Sequence, residues 1–196
     1  RPGGLHEQLL AVLPFALTAA QRRVGEEIAR DLARPVPMHR LLQGDVGSGK
    51  TVVAALAATL CIDAGWQCAL MAPTEILAEQ HFRKLIGWLE PLLEPRGLKV
   101  AWLFGGQKKK ERDAMLALVE SGQAALVVGT HAIIQERVVF KNLALAIIDE
   151  QHRFGVAQRL ELRGKLAGGM EPHLLMMSAT PIPRTLAMGY YADLDV

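Results

Sequence analysis

Apolar and polar positions along this chain of 196 residues fall into two alternating kinds of segment. Short, strongly apolar runs stand at 40–43, 67–72, 99–104, 124–128, 143–149 and 173–178. Longer segments with helical spacing stand at 19–33, 52–63, 75–89, 109–120, 132–135 and 156–166. Runs this short and this apolar read as strands buried on both faces. Strands alternating with helices predict an α/β fold, a mostly parallel sheet flanked by helices on both faces. Ligands in such sheets bind beyond the carboxyl ends of the strands. The residues that leave each strand are therefore where chemistry is expected. A turn is predicted at 93–97 and an irregular approach to the first strand at 34–37; no internal repeat is visible.

The first strand is followed by Gly44, Asp45, Val46, Gly47, Ser48, Gly49, Lys50 and Thr51, and then by an Ala/Leu-rich helix. This fits G-x-x-x-x-G-K-[ST], the phosphate-binding P-loop. Its glycines let backbone N–H groups converge on phosphate oxygens at a helix N-terminus. Lys50 reaches the β- and γ-phosphates, and the Thr51 hydroxyl holds Mg²⁺. The apolar run at 143–149 ends in Asp149 and Glu150. Two carboxylates at the sheet's carboxyl edge supply the other half of a hydrolytic site. Asp149 suits the metal and Glu150 the attacking water. Read alone, they would be two solvated acids after a core strand.

The base is expected to be adenine. A guanine-specific N-K-x-D loop is missing, because the single asparagine, Asn142, precedes a leucine. The dinucleotide pattern G-x-G-x-x-G is missing too. Upstream, the Gln21 amide can pair with adenine and the Phe15 ring can stack on it. On its own this segment reads more plainly: Thr18 as a helix cap, Phe15 as core.

With Asp149, Glu150, Gln151 and His152 in place, the chain resembles the first RecA-like lobe of a superfamily 2 helicase. The resemblance spans nearly all of the sequence. It rests on Phe15 and Gln21, the P-loop, the run from Met71 through Pro73 and Thr74 to Gln80 and His81, the pair Gly105 and Gly106, the triplet Gly129, Thr130 and His131, the Asp-Glu-Gln-His box, and Ser178, Ala179, Thr180 and Pro181. Within that superfamily the likeness is to the RecG family, bacterial ATP-dependent helicases that remodel branched DNA in repair and recombination. Transcription–repair coupling factors share much of the pattern but typically differ at Ser48 and Gln151.

The resemblance implies roles that spacing alone does not give. Pro73, Thr74 and the segment to Gln80, with Gly105, Gly106, Gly129, Thr130 and His131, would contact DNA along its sugar-phosphate backbone. Gln151 and His152 would act with Lys50, Asp149 and Glu150 at the γ-phosphate. Ser178, Ala179 and Thr180 would couple nucleotide state to DNA. ATP and Mg²⁺ are the implied cofactors, and branched or duplex DNA the partner. A second RecA-like lobe carrying arginines and an N-terminal wedge domain would lie elsewhere in a longer protein. Residues 1–196 would then be one ATP-binding domain, nearly inactive alone, with 1–14 a linker from the preceding region. His81, inside a helix, reads as helix surface or core.

Composition changes this little. The chain is 51% hydrophobic and 21% charged, with a net charge of +2, so bulk charge does not argue for nucleic acid. One basic cluster stands out, Lys108, Lys109 and Lys110 with Arg112 behind it, placed directly after the glycine pair. It reads about equally as a solvated helix start and as a phosphate contact. Cys61 and Cys68 read as small core residues in a reducing setting. No apolar run reaches the roughly 18 residues of a membrane span. The expected location is the bacterial cytoplasm, at the nucleoid. Two rivals of another class remain: a P-loop kinase, for which no acceptor site is visible, and a non-catalytic nucleotide- or DNA-binding module.

Overall fold

The computed structural model describes residues 4–34, 36–43, 49–150, 172–178 and 191–193. Among the described residues, seven strands form one sheet: β1 His39–Gln43, β2 Gln67–Ala72, β3 Lys99–Leu103, β4 Ala124–Thr130, β5 Leu143–Glu150, β6 His173–Ser178 and β7 Tyr191–Asp193. Their order across the sheet is β3-β4-β2-β5-β6-β1-β7, and each neighbouring pair is parallel. All carboxyl ends therefore share one edge. The central strands β2, β4, β5 and β6 are buried almost end to end, which explains their unbroken apolar runs. The six strands read from the sequence all appear; the three-residue β7 was not foreseen.

The α-helices among the described residues are α1 Leu5–Val12, α2 Ala19–Leu32, α3 Lys50–Asp63, α4 Glu75–Leu93, α5 Lys109–Ser121 and α6 His131–Arg137. The predicted helix at 156–166 lies outside the described residues. Ten residues of α3 are buried, including Val52, Ala55, Leu56 and Ile62. A helix apolar on every side needs cover on every side. It lies against β2 and β5, with α1, α2 and α4 packed on it.

That demand reaches into the segment read as a linker, 1–14, which contains a packed helix. Leu5–Val12 is a helix whose Leu5 and Leu9, one turn apart, are fully buried. The Leu5 N–H donates to Asp63 Oδ1 at 3.1 Å. Similarly, α4 continues past the expected end because Leu85, Leu89 and Leu93 form one buried stripe that carries through Pro91. Gln67 locks the opposite edge of the sheet. Its buried amide donates to Val119 and Ala124 carbonyls at 2.8 and 2.9 Å and accepts from the N–H groups of Lys141 and Asn142. All four hydrogen-bonding positions of the side chain are filled.

Candidate nucleotide site

Strand register sets the geometry. In the neighbouring strands β1, β6 and β5, Gln43 pairs with Ser178 and Ser178 with Glu150. The three strands thus end level, with β6 between the strand that leads into the P-loop and the strand that carries the paired carboxylates. The other half of the edge is level too. Met71 of β2 stands opposite Gly129 of β4, and Gly129 opposite Leu103 of β3. The segments proposed for nucleotide and for DNA therefore leave the same edge from opposite halves of the sheet.

Gly44, Asp45, Val46, Gly47, Ser48, Gln151, His152, Ala179 and Thr180 lie outside the described residues. The described end of the P-loop explains its last glycine. Gly49 caps α3 at φ 89°, a left-handed conformation that favours glycine. A Cβ there would also overlap the Gln21 amide. Lys50 and Thr51 open the helix. Asp149 and Glu150 are both buried, at 6% and 4% exposure. A buried carboxylate needs a partner, and Asp149 has one that the sequence did not reveal. His81 of α4 meets Asp149 Oδ2 through Nε2 at 2.5 Å and Thr51 Oγ1 through Nδ1 at 3.2 Å. A hydroxyl and a carboxylate, both hard oxygen groups, thus converge on one ring. The donor set is of the kind Mg²⁺ takes.

His81 read as helix surface or core because the neighbour order of strands is invisible in a sequence. α4 follows β2, and only the adjacency of β2 and β5 brings it beside Asp149.

The adenine-reading pair is arranged less simply. Gln21 and Thr18 form a capping box: Thr18 Oγ1 accepts from Gln21 N–H at 3.1 Å, and Gln21 Oε1 accepts from Thr18 N–H at 2.9 Å. Gln21 Nε2 points to the Gly49 carbonyl at 3.5 Å. The Gln21 side chain is therefore a strut between α2 and the P-loop. Phe15 is not core; it is 45% exposed.

On the other half of the edge, Thr74 caps α4 by accepting from Leu77 N–H at 3.2 Å, Pro73 is half-buried, and Gln80 is exposed. Gly105 and Gly106 are exposed, and the Gly105 N–H donates to Glu75 Oε1 at 2.6 Å. Arg112 donates to the Phe104 and Gly105 carbonyls, fixing this loop from behind. Gly129 is buried, and a Cβ there would stand 2.9 Å from the Leu103 carbonyl oxygen. Strand spacing alone accounts for that glycine. Thr130 caps α6, accepting from Ile133 N–H at 3.5 Å. His131 is 6% exposed and packs by Asp149; burial pushes its pKa down, against the raising effect of a backbone hydrogen bond and the charge of Asp149. Its ring faces the carboxylate site and not an open surface. Ser178 is likewise buried.

The DEAD/DEAH box helicase family matches residues 18–188, most of the chain and every candidate site residue named above except Phe15. The chain belongs to the DEAD/DEAH box helicase family. Among its relatives, the ATP-dependent DNA helicase RecG of Escherichia coli K12 is 60% identical over 192 residues. RecG of Mycobacterium bovis is 49% identical over 202. These matches take in 97% and 100% of this DEAD/DEAH box chain, which spans about a quarter of either relative, 27%. A RecG structure bound to a three-way DNA junction superposes with TM-score 0.78 at 47% identity, covering 98% of this chain and 25% of that one. The yeast DEAD-box splicing factor Prp28 shares the fold, with TM-score 0.64 at 17% identity over 94% of this chain and 46% of its own. Among the described residues of this DEAD/DEAH box domain, no helix is long and apolar enough to cross a membrane.

Proposed function

We propose that this chain is the ATP-binding motor lobe of a RecG-type DNA helicase, coupling ATP hydrolysis to remodelling of forks and junctions. The observation that carries the hydrolytic half is the meeting of Thr51 and Asp149 on His81. A P-loop hydroxyl and a carboxylate from the far strand, held that close, fit a Mg²⁺–nucleotide better than a solvated pair of acids. Mg²⁺ would neutralise charge on the β- and γ-phosphates. Thr51 and Asp149 would hold it, Lys50 would bind the phosphates, and the buried Glu150 would orient and deprotonate the water. Gln151 and His152 would complete the γ-phosphate site. Phe15 would stack on adenine, and Gln21 would have to give up part of its capping box to read the base.

The branched-DNA half rests on the RecG relatives. Thr74, Gln80, Gly105 and Gly106 are exposed at the carboxyl edge, where a sugar-phosphate backbone would pass. Lys108, Lys109 and Lys110 are exposed at the start of α5. Cations at a helix N-terminus oppose the helix dipole, so an anion there would relieve a local repulsion. Contacts of this kind are sequence-independent and weaken with salt. A second lobe supplying arginines, and a wedge domain that splits the junction, would come from the rest of a longer protein acting at the bacterial nucleoid.

The test is phosphate release by the full-length protein on forked, duplex and single-stranded DNA. Strong stimulation by forks is expected. Indifference to DNA, or a phosphorylated acceptor in place of free phosphate, would overturn the reading. Dependence on RNA polymerase would point to a coupling factor instead.

A further inference from the structure

We propose that His81 is a positioning residue, orienting Thr51 and Asp149 together for the Mg²⁺ ion that arrives with the nucleotide. The proposal rests on the nucleotide reading above and adds a residue to it. A carboxylate can only accept hydrogen bonds, so the 2.5 Å contact assigns a proton to Nε2, which donates to Asp149 Oδ2. In the neutral ring Nδ1 is then bare, and Thr51 gives its hydroxyl hydrogen to it across 3.2 Å. Both contacts are then satisfied by one tautomer. The consequence is directional. The hydrogen of Thr51 is turned toward the ring, which leaves its oxygen lone pairs for a cation. One oxygen of Asp149 is engaged, which leaves the other for the cation or its water.

The ring is well placed to hold this arrangement. Its side chain is only 12% exposed. It stands on α4 between Ala78 and Leu85, both buried in the core, and α4 itself starts at the Thr74 cap. The P-loop end at Thr51 is thereby tied to the paired carboxylates through a helix that belongs to neither. Partners that hold metal ligands from outside commonly change metal affinity about 10- to 100-fold when removed.

The experiment measures binding of a fluorescent ADP analogue to the full-length protein, with Mg²⁺ titrated from zero in the presence of a chelator. In His81→Ala, the Mg²⁺ concentration for half-maximal enhancement of binding should rise about 10- to 100-fold, while metal-free nucleotide affinity stays at the wild-type value. In His81→Gln, whose amide reaches only one of the two groups at a time, the shift should be intermediate. This second variant also carries the test if alanine does not yield folded protein. An unchanged Mg²⁺ requirement in both variants would overturn the proposal. So would tighter Mg²⁺ binding, which would make His81 an obstruction, and so would equal losses with and without Mg²⁺, which would make its role purely structural. Wild-type protein whose nucleotide binding ignores Mg²⁺ would overturn the nucleotide reading itself, and this proposal with it.

Discussion

The carboxylate of Glu75 accepts a hydrogen bond from the backbone N–H of Gly105 at 2.6 Å. The two residues leave different strands, β2 and β3, with β4 between them in the sheet. Gly105 is one of the residues proposed to meet DNA through its bare backbone. In this structure an acid already holds that N–H, where a phosphate oxygen would otherwise accept from it. Glu75 thus both clamps the loop to the start of α4 and sets a negative charge on a path proposed for phosphates.

Replacing Glu75 separates those two effects. Glu75→Gln keeps an acceptor and removes the charge. DNA affinity at low salt should rise about three- to tenfold, the range expected for relieving one close like-charge contact at a surface. The gain should shrink as salt is added. Fluorescence anisotropy with a forked duplex at several salt concentrations measures this. Unchanged affinity at every salt concentration would mean that DNA does not pass this N–H.

The paired carboxylates give a sharper division. In the full-length protein, Lys50→Ala should abolish ATP-driven unwinding. Glu150→Gln preserves shape at a buried position and should still bind ATP, while turnover falls about 10²- to 10⁴-fold through loss of the base. Nucleotide titration beside a phosphate-release assay reads both. If Glu150→Gln instead loses ATP binding, the division of roles between Asp149 and Glu150 is wrong.

The sequence made the strands legible because their apolar runs are buried on both faces, and it made the P-loop and the Asp149–Glu150 pair legible because each is contiguous. It could not reveal His81. That residue joins Asp149 only through the β2–β5 adjacency, a property of strand order. The role of α1 was hidden for a related reason: two buried leucines in eight residues carry little periodic signal, and their burial is decided by the apolar α3 beneath them. Gly129 was legible as a glycine but not as a spacer, since what it spaces is the carbonyl of Leu103, twenty-six residues earlier.

That difference between glycines is itself testable. Gly129→Ala would press a methyl against the Leu103 carbonyl and against Ile134 at 3.4 Å. It should destabilise the fold by about 1–3 kcal/mol, read as a lower urea midpoint. Gly106→Ala meets open space and has no positive φ. It should leave the midpoint unchanged or slightly raised and weaken DNA binding if phosphate approaches there. Equal midpoints for the two variants would contradict the spacer role of Gly129.

Two kinds of group, imidazoles that are buried or half-buried and buried thiols, set opposite limits on stability as pH changes. His173 Nδ1 accepts from the Met38 N–H at 2.7 Å, and burial pushes its pKa below the usual value, with Asp31 opposing and His39 assisting. The unfolded chain therefore takes up a proton first as pH falls below about 6.5, and stability drops on that side. Burial likewise lowers His6 and His131, so His173→Asn should make the acid limb shallower without removing it. On the other side, burial pushes the Cys61 thiol up to about 12 and Cys68 well upward. Above about pH 8.5 the unfolded chain loses thiol protons that the folded chain keeps, and stability declines again. Urea midpoints across pH 5–10 should show a plateau between about pH 6.5 and 8.5. Iodoacetamide should leave both thiols unmodified until urea unfolds the chain, and rapid alkylation of the folded protein at pH 8 would contradict their burial.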